Sequence, residues 1–163
     1  MPPIVSLIGK ANSGKTTLLE KLIPELRLRG VRVGIIKHHV HKFAMDTPGK
    51  DTWRHKQAGA KVVALSSPSG LGVIRDTDHD MPLSEVVNGY FNDVDLVITE
   101  GYKAGPAPKI EICRSAAHNE PLADRDETWL AVVSDRPLDC GLPIFDLDDA
   151  AGLADFLITT FAL

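Results

Sequence analysis

Short apolar runs alternate with amphipathic or turn-rich segments along the chain, a pattern typical of an α/β fold. Apolar runs predict strands at residues 4–8, 31–37, 61–66, 72–76, 94–99, 108–113, 129–134 and 142–145. Apolar positions at helical spacing predict helices at residues 16–29, 51–58, 83–91 and 150–161. The pattern therefore predicts one domain, residues 1–163, in which helices flank a mostly parallel sheet.

Two pairs of neighbouring strands indicate how the sheet is connected. The strands at 4–8 and 31–37 have a helix between them, which is a βαβ unit, so they should run parallel. The strands at 61–66 and 72–76 flank the turn-rich residues 67–70, which predicts an antiparallel hairpin. Because a hairpin adds an antiparallel pair to parallel strands, we expect a mixed sheet.

Composition and charge narrow the class of protein. The chain has 163 residues, 44% hydrophobic and 25% charged, which is typical of a globular domain and excludes a disordered chain. Its net charge of −4 offers no broad positive surface, so we expect no nucleic-acid and no membrane partner. The N-terminus lacks the basic segment of a signal peptide, and Cys113 and Cys140 show no paired spacing. These features predict a cytoplasmic protein with reduced thiols.

Residues 9–16 carry the strongest chemical signal in the sequence. They read Gly-Lys-Ala-Asn-Ser-Gly-Lys-Thr and match the phosphate-loop pattern GxxxxGK[ST], between a predicted strand and a predicted helix. In such a loop the backbone N–H groups turn toward phosphate oxygens, the lysine contacts the terminal phosphates and the hydroxyl ligates Mg²⁺. The motif predicts a P-loop NTPase fold, with nucleotide contacts from Gly9, Asn12, Ser13, Gly14, Lys15, Thr16 and Thr17.

Two carboxylates are candidates for the metal and hydrolysis side of this site. Glu100 follows the strand predicted at 94–99, and ligands of open α/β sheets bind outside the carboxyl ends of strands. Asp46 begins a DxxG-like loop in which an aspartate can hold Mg²⁺ and Gly49 can reach the γ-phosphate. We therefore expect Asp46 and Glu100 as catalytic residues, and Thr16, Asp46 and Glu100 as metal ligands. The alternatives are ordinary turn chemistry for Asp46 and a solvated carboxylate for Glu100.

Asp135 is a candidate for recognition of the base. It follows the buried strand predicted at 129–134, and a carboxylate accepts two hydrogen bonds from the N1 and N2 edge of guanine. Adenine lacks these donors, so Asp135 could select GTP over ATP. The full Asn/Thr-Lys-x-Asp pattern is absent, and a turn or helix cap is the alternative.

Three histidines lie just after the second predicted strand, at positions 38, 39 and 41. They could hold Zn or Ni, contact phosphate, or belong to a polar loop with no specific role. No cysteine or carboxylate cluster at ligand spacing accompanies them, so the three possibilities stay open.

Taken together, the motifs resemble the molybdopterin-guanine dinucleotide biosynthesis adaptor (MobB) family. The resemblance covers about residues 4–161, and the Asp-x-Pro-Gly-Lys-Asp run is more selective than the phosphate loop. It depends on the phosphate loop, Lys37-His38 with His41, residues 46–51, 58–60 and 99–102, Ser134-Asp135, and residues 146–149 and 152–156. Two mild departures are Tyr102, where phenylalanine is expected, and His39.

The resemblance implies a homodimeric, cytoplasmic GTP-binding protein with GTP and Mg²⁺ as cofactors and weak GTPase activity. It implies an accessory role beside the guanylyltransferase MobA, which joins GMP to molybdopterin. By the same pattern, Gly14, Lys15 and Thr16 contact phosphate and Mg²⁺, and Asp46 and Glu100 belong to the metal side. Direct binding of molybdopterin is left open.

Other classes of protein share a phosphate loop. A nickel-insertion GTPase would use the histidines as ligands, and a small-molecule kinase would carry an arginine-rich lid. Arg114 and Arg125 lie in a loop that resembles such a lid, but residues 115–127 contain four acidic residues and no glycine. For the homodimer, we expect the interface at the hairpin near residues 62–76 or at the strand at 108–113.

Overall fold

A computed structural model describes residues 1–38, 43–117, 122 and 125–163. The chain divides into two compact units. One, here called the P-loop unit, comprises Met1–His38 and Val86–Leu163, and the other, the hairpin unit, comprises His39–Glu85.

The helices and strands lie close to where the apolar pattern predicts them. The described residues form helices at Lys15–Leu28 (α1), Asp51–Gln57 (α2), Leu83–Tyr90 (α3) and Ala150–Phe161 (α4). They form strands at Ile4–Ile8 (β1), Val33–Lys37 (β2), Val62–Ser67 (β3), Gly70–Arg75 (β4), Leu96–Glu100 (β5), Lys109–Cys113 (β6), Trp129–Ser134 (β7) and Ile144–Phe145 (β8). Of these helices, none has the length and apolar character that a bilayer span requires.

Six of the strands form one parallel sheet in the order β2-β5-β1-β6-β7-β8. The expectation of a mixed sheet is wrong, because the antiparallel pair β3-β4 forms a separate two-stranded sheet within the hairpin unit. The chain order reverses at β1, which lies between β5 and β6. Such a switch point leaves a crevice at the carboxyl ends of the strands, where α/β proteins bind ligands.

One face of the parallel sheet packs against α1 and α4. Alternate residues of β1, including Val5 and Leu7, face the same cluster as Leu22 of α1 and Leu157 of α4, and all four are fully buried. Each such side chain contributes about 1.5–3 kcal/mol through burial. Because β1 and α1 both pack in this core, the ends of the loop that connects them are held in fixed positions.

The other face of β6 is buried and charged. Glu111 is 2% exposed and accepts hydrogen bonds from the Leu122 N–H at 2.6 Å and the Arg125 guanidinium at 2.8 Å. Arg125 also lies over the Trp129 ring, 5.6 Å from its centroid. Because all five residues of β6 are buried between two neighbouring strands, the expectation that this strand forms a dimer interface is wrong.

The hairpin unit contains α2 and the ribbon formed by β3 and β4. The two strands pair from Val62 opposite Arg75 to Ser67 opposite Gly70, so a two-residue turn connects them. This confirms the predicted hairpin. The ribbon keeps large apolar side chains in solvent, with Leu71 70% exposed and Leu65 66% exposed.

Candidate nucleotide-binding site

The loop between β1 and α1 has the backbone that a phosphate cradle requires. Gly9 has φ 154° and Gly14 has φ 94°, torsions that a side chain disfavours. A Cβ on Gly9 would lie 2.6 Å from the backbone oxygen of Ile112 and 2.8 Å from the Ser13 hydroxyl. The loop is therefore packed tightly against β6, and glycine at position 9 is required by space as well as by torsion.

The Lys15 amine curls back into this loop. It donates hydrogen bonds to the carbonyl oxygens of Gly9 at 3.1 Å and Lys10 at 2.9 Å. Partial burial lowers the pKa of Lys15, while the nearby Glu100 carboxylate raises it and Lys37 lowers it. The loop thus holds a positive charge among backbone groups, where a phosphate would meet it.

The N-terminus of α1 has no side-chain cap. Its N-cap residue, Gly14, makes no side-chain hydrogen bond, and the first turn contains no acidic residue. The N-terminus of α4 differs, because the Asp149 carboxylate accepts a hydrogen bond from the Gly152 N–H at 2.9 Å. The first N–H groups and positive dipole end of α1 are therefore suited to an anionic ligand.

Glu100 ends β5 beside the loop, as the sequence predicts. Its carboxylate is 14% exposed, accepts a hydrogen bond from the Thr16 hydroxyl at 3.4 Å, and lies 3.4 Å from the Lys37 amine. A threonine hydroxyl and a carboxylate are the oxygen ligands that Mg²⁺ prefers, usually together with phosphate oxygens. The structure thus brings Thr16 and Glu100 together in an arrangement that fits the expected metal.

Sequence reasoning missed the part that β2 plays in the site. Lys37 pairs in register with Glu100, and the His38 N–H donates to the Glu100 carbonyl oxygen at 3.1 Å. The His38 ring lies on the Tyr102 ring with centroids 4.4 Å apart. The Lys37-His38 dipeptide was visible as a motif, but its position beside Glu100 depends on the β2–β5 pairing.

Asp46 and Gly49 lie in the hairpin unit. The Asp46 carboxylate accepts hydrogen bonds through Oδ1 from the Thr47 N–H at 2.8 Å and the Thr52 hydroxyl at 3.0 Å. Its Oδ2 is buried and has no hydrogen-bond partner among the described residues. A buried carboxylate oxygen without a partner is costly unless a ligand completes it, so Asp46 fits the expected metal-ligating role. Gly49 has φ 85°, within the turn that precedes α2.

Asp135 follows β7, and its carboxylate contacts the protein. The Ser115 N–H donates to Oδ1 at 2.9 Å and to Oδ2 at 3.2 Å, and the Ser115 hydroxyl donates to Oδ2 at 2.5 Å. These bonds hold the pKa of Asp135 below its ordinary value, chiefly through the Ser115 side chain. Contact between Asp135 and guanine stays a prediction.

The histidine prediction falls largely on residues that the structure does not describe, since His39 and His41 lie outside them. In the described ranges, no group of three or more histidine, cysteine or carboxylate side chains could hold a metal ion. Cys113 and Cys140 are both free thiols.

A family model described as "Molybdopterin guanine dinucleotide synthesis protein B" matches residues 4–135. The chain belongs to the MobB family. Every site residue predicted from the sequence, from Gly9 to Asp135, lies inside the matched span.

Similar proteins match the chain over nearly its whole length. A molybdopterin-guanine dinucleotide biosynthesis adapter protein of Haemophilus influenzae is 38% identical, covering 95% of this chain and 87% of the relative. The protein of the same description from Escherichia coli is 35% identical, covering 97% of this chain and 93% of the relative. The Bacillus subtilis MobB crystal structure is 28% identical, with a TM-score of 0.75 over 98% of both chains. This structure and a crystal structure of molybdopterin-guanine biosynthesis protein B confirm the predicted mostly parallel P-loop fold; the second is 32% identical, with a TM-score of 0.75 over 98% of this chain and 99% of that chain.

Proposed function

We propose that this chain is a cytoplasmic GTP-binding adaptor of molybdenum cofactor biosynthesis that assists the conversion of molybdopterin to its guanine dinucleotide. The phosphate cradle supports this most directly: Lys15 curls into the loop, and the uncapped N-terminus of α1 is available to an anion. The adaptor role follows from membership of the MobB family and from relatives named as adapter proteins.

In this proposal, residues 1–163 act as one nucleotide-binding domain, in which some residues contact the phosphates and others hold the metal ion. The loop N–H groups and Lys15 hold the phosphates, with Asn12, Ser13 and Thr17 beside them. Thr16 and Glu100 would hold Mg²⁺, which supplies charge neutralisation at the terminal phosphates when bound. The roles of Asp46 as a metal ligand and of Gly49 as a phosphate contact stay predictions from the sequence.

We propose slow GTP hydrolysis. Glu100 accepts a hydrogen bond from the Thr16 hydroxyl and lies 3.4 Å from the Lys37 amine. Because a general base must reach the proton of the attacking water, a carboxylate held in these two contacts is poorly placed for that role. A slow turnover suits an adaptor, whose nucleotide state is read by a partner, and the proposed partner is the guanylyltransferase MobA. Direct contact with molybdopterin is not required by this proposal.

We also propose that the protein is a homodimer assembled through the hairpin. On one face of the ribbon, Val62, Leu71 and Val73 are 42%, 70% and 41% exposed. Their register places them on the same side of the two strands. A two-stranded ribbon is marginal in water by itself, and a second copy would cover this apolar face.

The test is calorimetric titration of Mg-GTP and Mg-ATP into wild-type protein and Lys15→Ala. We expect tight GTP binding, weaker ATP binding, and loss of both in the variant, because the lysine charge is removed from the cradle. Lys103→Ala is the matched control, since it removes an exposed lysine outside the loop and should bind like wild type. Unchanged GTP affinity in Lys15→Ala, or no GTP binding by wild type, would refute the proposal.

A further inference from the structure

Arg114 lies beside the phosphate loop, at the carboxyl end of β6. It lines a cavity of about 400 Å³ together with Ala11 and Asn12 of the loop. It also lines a second cavity of about 190 Å³, shared with Ser13, Gly14, Thr17, Lys21, Leu147 and Asp148. Arg114 therefore lines two cavities that border residues 11–14.

Arg114 is accessible to a ligand, with the Asp135 carboxylate as a charged neighbour. The residue is exposed, and with the described residues it forms no salt bridge. Arg125, the other arginine of the lid-like stretch, is bound instead to the buried Glu111 carboxylate. Of these two arginines, only Arg114 is both exposed and close to the phosphate loop.

The backbone at Arg114 is fixed from the neighbouring strand. Ser115 donates three hydrogen bonds to the Asp135 carboxylate, which follows β7. The Ala117 N–H donates to the Arg114 carbonyl oxygen at 3.0 Å and closes a turn. Because both Asp135 oxygens accept hydrogen bonds from Ser115, the carboxylate fixes the backbone position of the neighbouring Arg114.

The sheet order indicates which end of a nucleotide Arg114 would meet. Thr16 and Glu100 mark the metal side of the loop, and Glu100 ends β5 on one side of β1. Arg114 follows β6 on the other side of β1. A nucleotide whose metal-bound terminal phosphates lie toward β5 places its α-phosphate and nucleoside toward β6.

We infer that Arg114 binds the α-phosphate end of the nucleotide and that Asp135, through Ser115, is a positioning residue for Arg114. This inference rests on the proposed nucleotide binding and gives Asp135 a role different from contact with guanine. A charge-assisted contact to a phosphate oxygen typically changes affinity by tenfold or more. Because the γ-phosphate is not involved, GTP and GDP should depend on Arg114 equally.

The experiment is calorimetric titration of GTP, GDP and ATP into wild type, Arg114→Ala, Asp135→Ala and the double variant. We expect Arg114→Ala to weaken all three nucleotides by about tenfold or more. Asp135→Ala should weaken GTP and ATP by equal factors, leaving their ratio unchanged. In the Arg114→Ala background, Asp135→Ala should cause no further loss, because its effect passes through the arginine. Arg27→Ala, an exposed arginine of α1, is the control.

The outcomes separate this inference from the proposed function. A selective loss of GTP in Asp135→Ala would show that the carboxylate contacts guanine and would overturn the inference. Binding by Arg114→Ala within twofold of wild type, or additive losses in the double variant, would also overturn it. No nucleotide binding by wild type would overturn the proposed function itself. If Asp135→Ala does not fold, Ser115→Ala removes one of the three bonds and should give a smaller loss, again equal for GTP and ATP.

Discussion

Replacement of Gly9 by alanine tests the packing of the phosphate loop against β6. The new Cβ would lie 2.6 Å from the Ile112 carbonyl oxygen, closer than real Cβ atoms approach, and this neighbour is backbone. The loop or the strand must therefore move. Forced overpacking of this kind costs about 1–3 kcal/mol, and the disfavoured torsion at φ 154° adds about 1–3 kcal/mol.

Gly30 provides a matched control for the torsion alone. It has φ 83°, and a Cβ there would meet nothing within 4 Å. Gly30→Ala should therefore cost only the torsional part, about 1–2 kcal/mol. In proteins of this size a loss of 1 kcal/mol lowers the Tm by about 2–4 °C, so a combined cost of about 2–6 kcal/mol should make Gly9→Ala melt about 4–24 °C below wild type.

The assay is thermal unfolding followed by circular dichroism, with a parallel calorimetric titration of Mg-GTP. We expect Gly9→Ala to melt well below Gly30→Ala and to bind nucleotide weakly, because the displaced loop no longer aligns its N–H groups. Equal melting temperatures for the two variants would refute the argument that contact with Ile112 requires glycine at position 9.

Two further predictions concern the ion pair of Arg32 with Asp95 and the apolar face of the hairpin. Asp95 accepts hydrogen bonds from Arg32, chiefly from its guanidinium, which lowers the pKa of this carboxyl to about 2. The contribution of ionised Asp95 to stability is complete above the ordinary pKa of about 4 and is lost as the pH falls through about 2. In a melting series over pH, Asp95→Asn should therefore lower the Tm at pH 7 and lower it much less at pH 2. On the hairpin, Val73→Glu should convert the proposed homodimer to monomer, because it places a charge on the apolar face. Light scattering after size-exclusion chromatography measures the oligomeric state. A variant that stays dimeric would exclude this face as the interface.

Local pattern was sufficient for most of the secondary structure. The predicted bounds of β1, β7 and α4 agree with the structure residue for residue. These elements depend on apolar periodicity and flanking turn residues, which are properties of neighbouring positions in the chain. The phosphate loop is local for the same reason, because its glycines, lysine and threonine act within eight consecutive residues.

The pairing of strands that are distant in the sequence could not be predicted from the local pattern. Nothing near Val94 or Val31 in the sequence shows that β5 lies between β2 and β1, since strand order is decided by how the whole core packs. The hairpin was predicted correctly as a hairpin, but its separation from the main sheet was not. Whether the β3-β4 ribbon pairs with an edge strand of the parallel sheet depends on contacts between strands that are distant in the sequence.

Some features of the candidate site could likewise be predicted from the sequence, and others could not. The sequence by itself predicted phosphate contacts for Lys15 and Thr16 from one short motif, and it placed Glu100 at the end of a strand. Only the tertiary structure placed Lys37 beside Glu100 and bound Asp135 to Ser115, since both contacts join segments that meet through parallel strand pairing. Chemistry carried by one short segment can be predicted from that segment, whereas a side chain's partner depends on which strands the folded core brings side by side.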